Sequence, residues 1–322
     1  MEKIKILNLE PFADEVFLDK GYEVVHAKDN SPEALFEAAK GCTGILTRTE
    51  KISRDIMEAN PELKIIARYG IGFDNVDVEA ATELGIWVSN VPAANLETVA
   101  EGAIYLILAL GRKFNILEDH FKKGEWAYRN VLKGSEVNGK VLGLVGLGKI
   151  GRLVAEKALY GLGMKEQYFD TYIEQDKAPK GVKKVDDWDT ILRTSDFVAV
   201  QMPYFGKTLF TEHEFSLMKN SAYFINLSRG LIADEDALIK AIESGKIAGA
   251  GLDVYKEEPP KVDNPLLHME NVIALPHATG ISNECFIKCC DCSTENIISV
   301  IETGEPVTPV NKPVKPRSLN KK

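Results

Sequence analysis

The stretch Lys140-Val-Leu-Gly-Leu-Val-Gly-Leu-Gly-Lys-Ile-Gly-Arg152 decides the fold. An apolar run typical of a buried strand leads directly into Gly146, Gly148 and Gly151, and a helical pattern follows from Ile150 to Leu159. In such a G-x-G-x-x-G turn the first glycine permits a tight turn, the second lets a pyrophosphate approach the backbone, and the third lets the helix pack on the strand. The helix N-terminus adds unpaired N–H groups and a partial positive charge. The stretch therefore predicts a dinucleotide-binding turn.

An acidic residue stands downstream at the spacing that such a site needs. Asp170 follows Gly146 by 24 residues, near the roughly 20 expected for a carboxylate that binds ribose hydroxyls. A carboxylate there also repels a 2′-phosphate, which favours NAD over NADP. The alternative is an aspartate that only caps a turn, and the preceding segment, Glu166-Gln-Tyr-Phe169, is more polar than a central parallel strand should be. The predicted cofactor-binding residues of this region are Gly146, Gly148, Lys149, Ile150, Gly151 and Asp170.

Short apolar runs alternate with amphipathic stretches on both sides of the turn. The predicted strands are Lys3–Leu7, Gly44–Thr47, Lys64–Ala67 and Ile86–Val88 before it, and Val141–Val145, Phe197–Val200, Tyr223–Ile225, Ala250–Val254 and Val272–Ala274 from it onward. Strands separated by helices of this size form βαβ units and parallel sheets. One long helix from Glu97 to about Lys123 is expected between the two series, buried on several sides, and Asn283–Ile301 is expected to be the last helix. The end, Pro313–Lys322, is expected to fray.

Composition bounds the function. A length of 322 residues suggests about two domains. The net charge of −9 gives no broad field for nucleic acid or anionic lipid. No apolar run approaches the roughly 20 residues of a membrane span. The start, Met1–Leu7, lacks the features of a signal peptide, and five cysteines form no disulfide framework, so we expect a cytoplasmic protein.

Polar residues stand at the ends of three later strands. Arg229 follows an apolar strand, where its guanidinium would reach the carboxyl edge of the sheet and bind a carboxylate. Glu258 follows a second strand, and His277 follows a third. A histidine beside a carboxylate makes a working general acid. The alternative for Arg229 is a surface salt bridge, and a meeting of Glu258 with His277 is a prediction about tertiary structure.

Four of the five cysteines crowd one predicted helix. Cys285, Cys289 and Cys292 share one face, which could hold zinc or an iron–sulfur centre. No histidine lies nearby to complete a site, and cysteine also packs well as a small apolar residue. Buried packing is the prediction, with no metal.

Taken together, these segments resemble the NAD-dependent D-2-hydroxyacid dehydrogenases. The resemblance runs in order from about residue 40 to 312 and rests on Arg68–Asp77, Asn90–Glu101, Gly146–Gly151, Asn226–Gly230, Leu252–Pro259 and Pro276–His277. It implies an α/β fold of two domains with parallel sheets: a flavodoxin-like substrate domain (1–98 and 291–322) and a doubly wound Rossmann cofactor domain (99–290), with the active site in the cleft between them. The resemblance also implies a homodimer, and the unusually apolar helix that begins at Glu97 supports the same expectation.

The resemblance also implies a role for each site residue. His277 is the acid–base group that protonates the 2-oxo oxygen as hydride arrives, Glu258 orients it and keeps it protonated, and Arg229 holds the substrate carboxylate. Asp253 matches the contact to the nicotinamide end, and Pro203 the loop beside the adenosine. The implied substrate-binding residues are Arg48, Arg68, Tyr69, Gly70, Ile71 and Gly72, the last four through their backbone amides.

The substrate is less closely specified than the family. Arg48, Arg68, Asn138–Lys140 and Glu257–Pro260 look most like phosphoglycerate dehydrogenases, with Arg129 as a further candidate for the phosphate. Hydroxypyruvate or glyoxylate follows, then a D-lactate-type substrate, and Arg48 and Arg129 could instead be solvated surface charges. A formate-type dehydrogenase would carry an amide in place of the acid Glu258. A nucleotide-sensing corepressor on the same scaffold is the alternative from a different functional class.

Three departures from the family pattern lie outside the three predicted catalytic residues, Arg229, Glu258 and His277. Gln201 stands where many relatives have histidine, Tyr204-Phe-Gly206 replaces a Leu-Thr pair, and Ala278-Thr-Gly-Ile-Ser282 replaces a glycine-rich run. Each could alter cofactor contacts or substrate fit.

Overall fold

The computed structural model of the protein describes residues 4–318. The chain divides into two compact units: the first joins the residues up to Asn95 with those from Ser282 onward, and the second is Leu96–Ile281. The two boundaries fall three and nine residues earlier than the predicted domain limits. The larger difference arises because the whole of the last helix packs on the sheet of the first unit.

The first unit is built around five parallel strands in the order β2-β1-β3-β4-β5. This is the order of flavodoxin-like folds. Ile6, Ile45, Leu46 and Ile66 are fully buried in its core. The strands are β1 Lys5–Asn8, β2 Glu23–Val25, β3 Gly44–Thr47, β4 Ile65–Arg68 and β5 Trp87–Ser89, and the helices of this part are α1 Asp14–Asp19, α2 Pro32–Ala39, α3 Arg54–Glu58 and α4 Val78–Glu83.

The second unit contains seven parallel strands in the order β12-β11-β10-β9-β6-β7-β8. The strand order reverses between β6 and β9, which creates the topological switch point where open α/β sheets bind ligands. The strands are β6 Val141–Val145, β7 Lys165–Phe169, β8 Val182–Lys184, β9 Phe197–Val200, β10 Tyr223–Asn226, β11 Gly249–Leu252 and β12 Val272–Ala274. The helices are α5 Leu96–Arg112, α6 Phe114–Lys122, α7 Lys149–Glu156, α8 Trp188–Thr194, α9 Glu212–Leu217 and α10 Glu235–Glu243.

The single long helix predicted from Glu97 to about Lys123 is wrong. The chain forms α5 and α6, and Lys113 between them adopts a left-handed φ of 54° that interrupts the helix. The burial expected for α5 is present, since Ala100, Ala103 and Leu106 are fully buried. Periodicity continued through the break because both helices are amphipathic, which is why the sequence did not show it.

The last helix, α11 (Asn283–Thr303), returns to the first unit. Cys285 and Cys289 are buried there with their Sγ atoms 3.8 Å apart, while Cys290 and Cys292 are half-buried. Within residues 4–318, no group of three or more His, Cys, Asp or Glu side chains is arranged to hold a metal. In the same range, every helix is too short or too polar to cross a bilayer.

The prediction of a frayed end is wrong for the described part of that end. Arg317 donates its backbone N–H to Gly85 at 2.9 Å, and its side chain donates to the carbonyls of Leu84, Asn60 and Leu63. These bonds tie the chain to the first unit as far as residue 317. Residues 319–322 lie outside the described part of the chain.

Candidate active site

The glycine turn lies at the switch point of the seven-stranded sheet. Gly146 follows β6 with a φ of 96°, and a Cβ on it would lie 2.8 Å from the carbonyl oxygen of Gln201. A Cβ on Gly151 would lie 2.5 Å from the carbonyl oxygen of Gly146, so only glycine lets the helix pack so close. Gly148 has open space where its Cβ would stand. The three glycines thus occupy the positions that the sequence pattern predicts for them.

The start of α7 is arranged to receive an anion. Lys149 and Ile150 are its first residues, and within the described chain no side chain caps the helix at Gly148. The N–H groups of this first turn therefore keep the donor capacity and partial positive charge that phosphate requires.

Asp170 follows β7 and is held against the turn. Its Oδ2 accepts the Leu147 N–H at 2.8 Å, and its Oδ1 accepts the N–H groups of Tyr172 and Ile173 at 2.7 and 3.0 Å. The carboxylate therefore caps its own turn, as the alternative interpretation predicts, and it also lies beside the glycines, while its ribose contact stays a prediction. A carboxylate oxygen can accept more than one hydrogen bond, so a ribose hydroxyl could still bind.

Gln201 follows β9 on the other side of the switch point. Its Nε2 is buried without a hydrogen-bond partner in the described chain, which is costly unless a ligand supplies an acceptor. Pro203 is exposed two residues later. The open Gly148, the uncapped helix and this unsatisfied amide together fit a bound dinucleotide.

Three neighbouring strands bring the predicted catalytic residues to one edge. Arg229 follows β10, Glu258 follows β11 and His277 follows β12. His277 Nδ1 lies 2.7 Å from Glu258 Oε2, and the two side chains are 53% and 38% exposed. The tertiary contact that the sequence could only suggest is therefore present.

The surroundings keep Glu258 ionised. Its burial favours the neutral form, but the bond to His277, the Tyr255 N–H at 3.1 Å and the charge of Arg229 outweigh burial and lower the pKa of the Glu258 carboxyl. An ionised Glu258 accepts a hydrogen bond from the Nδ1–H of His277 and leaves Nε2 for a substrate.

The turn that carries Arg229 is specified by buried residues. Asn226 is fully buried at the end of β10, accepts the Ser228 N–H at 3.0 Å and donates to the Arg229 carbonyl at 2.9 Å. A Cβ on Gly230 would lie 2.0 Å from the Tyr255 backbone, so glycine is required there. Arg229 Nη1 donates to the Ser228 carbonyl at 2.8 Å.

Asp253, which the resemblance places at the nicotinamide end, makes hydrogen bonds within the protein to the loop after His277. The side chain is buried directly after β11, and its carboxylate accepts the N–H groups of Ala278 and Thr279 at 2.7 and 3.0 Å. These are the two residues that follow His277. In this structure Asp253 therefore holds the backbone of the histidine loop.

The predicted substrate-binding residues gather at the carboxyl edge of the five-stranded sheet. Arg48 follows β3, Arg68 ends β4, and the Arg48 guanidinium lies 5.9 Å from the centre of the Tyr69 ring. The Tyr69 N–H already donates to the Thr47 carbonyl at 2.8 Å. Among the described residues, the N–H groups of Gly70–Gly72 have no acceptor, so the predicted cradle narrows to these three amides.

Two carboxylates at this edge escaped the sequence prediction. Glu50 is buried and accepts the N–H groups of Arg48 and Thr49, each at 3.1 Å. Burial raises its pKa, but these bonds and the Thr47 hydroxyl outweigh burial and lower it. Burial also raises the pKa of Glu10, against the opposing charges of Arg48 and Arg68, and Glu50 raises it further. The residues next to Glu10 and Glu50 in the sequence do not indicate a role at this edge, because the two glutamates come together only when β1 and β3 pair in the folded sheet.

Arg129, the third candidate for a phosphate, lies in the second unit. Its guanidinium lies 4.3 Å from the centre of the Trp126 ring, a cation–π contact on the surface. This contact favours the surface interpretation that the sequence left open.

Comparison with known proteins agrees with this geometry. Residues 104–279 match the family model of the NAD-binding domain of D-isomer-specific 2-hydroxyacid dehydrogenases. The chain is 36% identical over 307 residues to a glyoxylate reductase of Korarchaeum cryptofilum, covering 92% of each protein. It is 41% identical over 287 residues to a D-3-phosphoglycerate dehydrogenase of Methanocaldococcus jannaschii, covering 87% of this chain but 54% of that enzyme.

Solved structures agree as well. A D-mandelate dehydrogenase of Rhodotorula graminis superposes with a TM-score of 0.88 at 30% identity, covering 98% of this chain and all of that one. An NADPH-dependent glyoxylate/hydroxypyruvate reductase of Sinorhizobium meliloti superposes with a TM-score of 0.87 at 30% identity, covering 99% of this chain and 100% of that one. The chain belongs to the D-isomer-specific 2-hydroxyacid dehydrogenases, a family of oxidoreductases that use a nicotinamide dinucleotide.

Proposed function

We propose that this protein reduces a short 2-oxo acid to the D-2-hydroxy acid with NADH, and catalyses the reverse reaction with NAD. The 2.7 Å contact between His277 and Glu258 carries the proposal, because it provides a general acid at the edge of the sheet that holds the glycine turn.

Each residue of the proposed site has one action. The dinucleotide, when bound at the glycine turn, supplies or accepts the hydride. His277 donates a proton from Nε2 to the C2 oxygen, and ionised Glu258 stabilises its imidazolium form. Arg229 binds the substrate carboxylate as a planar, permanently charged donor. In the first unit, the amides of Gly70–Gly72 are the proposed carboxylate donors.

NAD is the proposed cofactor because Asp170 places a negative charge beside the turn. The S. meliloti relative is NADPH-dependent, so the preference needs a direct test. Replacing Asp170 with serine should raise the ratio of kcat/KM for NADPH to that for NADH by about thirtyfold, since the lost charge no longer repels the 2′-phosphate. A ratio that stays unchanged would remove Asp170 from the cofactor site.

Charge at the edge of the first sheet favours an unphosphorylated substrate. Glu10 and Glu50 oppose the charges of Arg48 and Arg68, so a substrate with a phosphate would meet carboxyl groups as well as guanidinium groups at this edge. Hydroxypyruvate and glyoxylate therefore come first. The 3-phosphoglycerate preferred from the sequence is the second candidate, supported by the two arginines and by the M. jannaschii relative.

We also propose a homodimer that uses the exposed surface of α5 and the turn after α7. Tyr105 and Tyr160 are 52% and 67% exposed there, beside Ile104 and Leu108. Changing both tyrosines to glutamate should convert the dimer to a monomer in light-scattering measurements, whereas Tyr172→Glu, at another exposed tyrosine, should not. A wild-type monomer would refute the proposal.

The five free thiols support a cytoplasmic location.

The activity is tested with purified protein, NADH or NADPH, and a set of acids: glyoxylate, hydroxypyruvate, pyruvate, phenylpyruvate and phosphohydroxypyruvate, with 3-phosphoglycerate and NAD for the reverse direction. We expect oxidation of NADH with hydroxypyruvate or glyoxylate at the highest kcat/KM. No turnover with any of these acids would contradict the proposed function.

A further inference from the structure

The loop that presents His277 contains a strained residue. His277 adopts a φ of 53°, in the left-handed region that side chains other than glycine rarely occupy. Such a conformation persists only where the surrounding structure determines it, and it clusters at functional sites. The contacts that hold this turn therefore decide where the imidazole stands.

Thr279 makes the contacts that hold the turn. Its hydroxyl donates to Asp253 Oδ2 at 2.5 Å and its own N–H donates to the same oxygen at 3.0 Å. The Ala278 N–H donates to Oδ1 at 2.7 Å. Three hydrogen bonds thus converge on one buried carboxylate, directly after His277 and directly after β11.

The opposite side of Thr279 packs against α5. A Cβ on Gly102 would lie 2.8 Å from both Cβ and Cγ2 of Thr279, so the helix leaves room for this side chain only because residue 102 is glycine. Glycine inside a helix is unfavourable unless close packing requires it. The Thr279 side chain is therefore seated between Gly102 and Asp253.

We propose that Thr279 is a positioning residue for His277: its hydroxyl on Asp253 and its methyl face on Gly102 fix the left-handed turn that aims the imidazole at the reacting oxygen. This inference rests on the proposed function. It also explains one departure from the family pattern, the threonine in the segment Ala278–Ser282. Small displacements of a catalytic group cost large factors in rate, so losing the hydroxyl should act on kcat.

Two substitutions separate positioning from space filling. Thr279→Val keeps the shape and removes the hydroxyl, whereas Thr279→Ser keeps the hydroxyl and removes the methyl group. We expect the valine variant to lose about tenfold in kcat, with KM values for NADH and the 2-oxo acid within twofold of wild type, and the serine variant to retain at least a third of kcat. If the valine variant keeps full kcat, or the serine variant falls as far as valine, the proposal is wrong.

A double-mutant cycle tests the seat on α5 without relying on one variant. Gly102→Ala should lower kcat about tenfold beside the native Thr279, because the new Cβ displaces it. In the Thr279→Gly background the same change should cost less than twofold, since nothing remains to displace. Equal costs in both backgrounds would overturn the proposal. Wild-type turnover and melting temperatures, measured alongside, show whether a failure belongs to the proposed function or to folding.

Discussion

Two glutamates of the seven-stranded sheet lie in opposite surroundings. Glu258 stands beyond a strand end, paired with His277, and its pKa is lowered. Glu166 lies inside β7, 5% exposed, with neither carboxylate oxygen bonded within the described chain, and burial raises its pKa to about 8. At the strand end the carboxyl is held ionised by its partners, whereas inside the strand burial favours the neutral, protonated carboxyl.

The contrast follows from the sheet. Glu166 pairs in register with Leu142 of β6, and the next residue on its face, Tyr168, is fully buried. Water cannot reach this position, and no donor faces it within residues 4–318. The polarity of Glu166–Phe169, which argued against a central strand in the sequence, is thus a real local conflict in a strand that nevertheless forms.

The largest expected effect is at the strand-end pair itself. Changing His277 to alanine removes the general acid and should lower kcat by about 1,000-fold or more, while NADH still binds at the glycine turn. Steady-state kinetics and NADH fluorescence titration measure the two quantities. His268→Ala is the matched control, because the exposed His268 side chain hydrogen-bonds the Val262 carbonyl, away from Glu258. Substantial turnover by the His277 variant would exclude its role.

The next effect concerns the charge of Glu258. Glu258→Gln keeps the size and one hydrogen-bonding oxygen but removes the charge that stabilises the imidazolium, so kcat should fall about 100-fold. The exposed neighbour provides the control, and Glu257→Gln should leave kcat within twofold. A Glu258 variant as active as its control would reduce the carboxylate to a structural role.

A smaller effect is expected at the edge of the five-stranded sheet. Glu10→Gln removes one of the two carboxyl groups that lie near Arg48 and Arg68 and oppose their charge. The ratio of kcat/KM for phosphohydroxypyruvate to that for hydroxypyruvate should therefore rise about tenfold, more at low salt than at high salt. Glu62→Gln makes the same charge change before β4, at the amino edge, and should leave the ratio unchanged. An unchanged ratio in the Glu10 variant would return 3-phosphoglycerate to first place.

Replacing Glu166 should have the smallest effect on activity, but it should change how the free energy of unfolding depends on pH. Its pKa in the folded protein, about 8, exceeds the ordinary 4.5. The folded state thus retains a proton that the unfolded state loses, and this contribution to stability is full below about pH 4.5. It falls by up to about 1.4 kcal/mol per pH unit as the pH rises toward 8.

Glu166→Gln removes that slope because the amide does not titrate. Denaturant unfolding of both proteins between pH 5 and 8 measures it. We expect the difference between the two free energies of unfolding to grow with pH in favour of the glutamine variant. A difference that stays constant across this range would mean that Glu166 is ionised in the folded protein.

Much of this site could be predicted from the sequence because its chemistry follows strand ends. Gly146–Gly151 and His277 each stand beside an apolar run, Asp170 stands at the expected spacing after Gly146, and parallel strands bring such positions to one edge. Contacts between segments that are distant in the sequence have no comparable pattern in the sequence. The seat of Thr279 on Gly102 and the charge of Glu10 beside Arg48 exist only after the helices and strands have packed, and the left-handed break at Lys113 was hidden by amphipathic helices on both sides.

In the proposed reaction, hydride passes from NADH to C2 of a 2-oxo acid while His277 protonates the oxygen. The most direct measurement is one turnover of hydroxypyruvate with NADH deuterated at C4 in the transferred position, followed by NMR and chiral analysis of the product. We predict D-glycerate with a single deuterium at C2. Unlabelled glycerate, the L-isomer, or no product from this acid or from glyoxylate would contradict the proposed reaction.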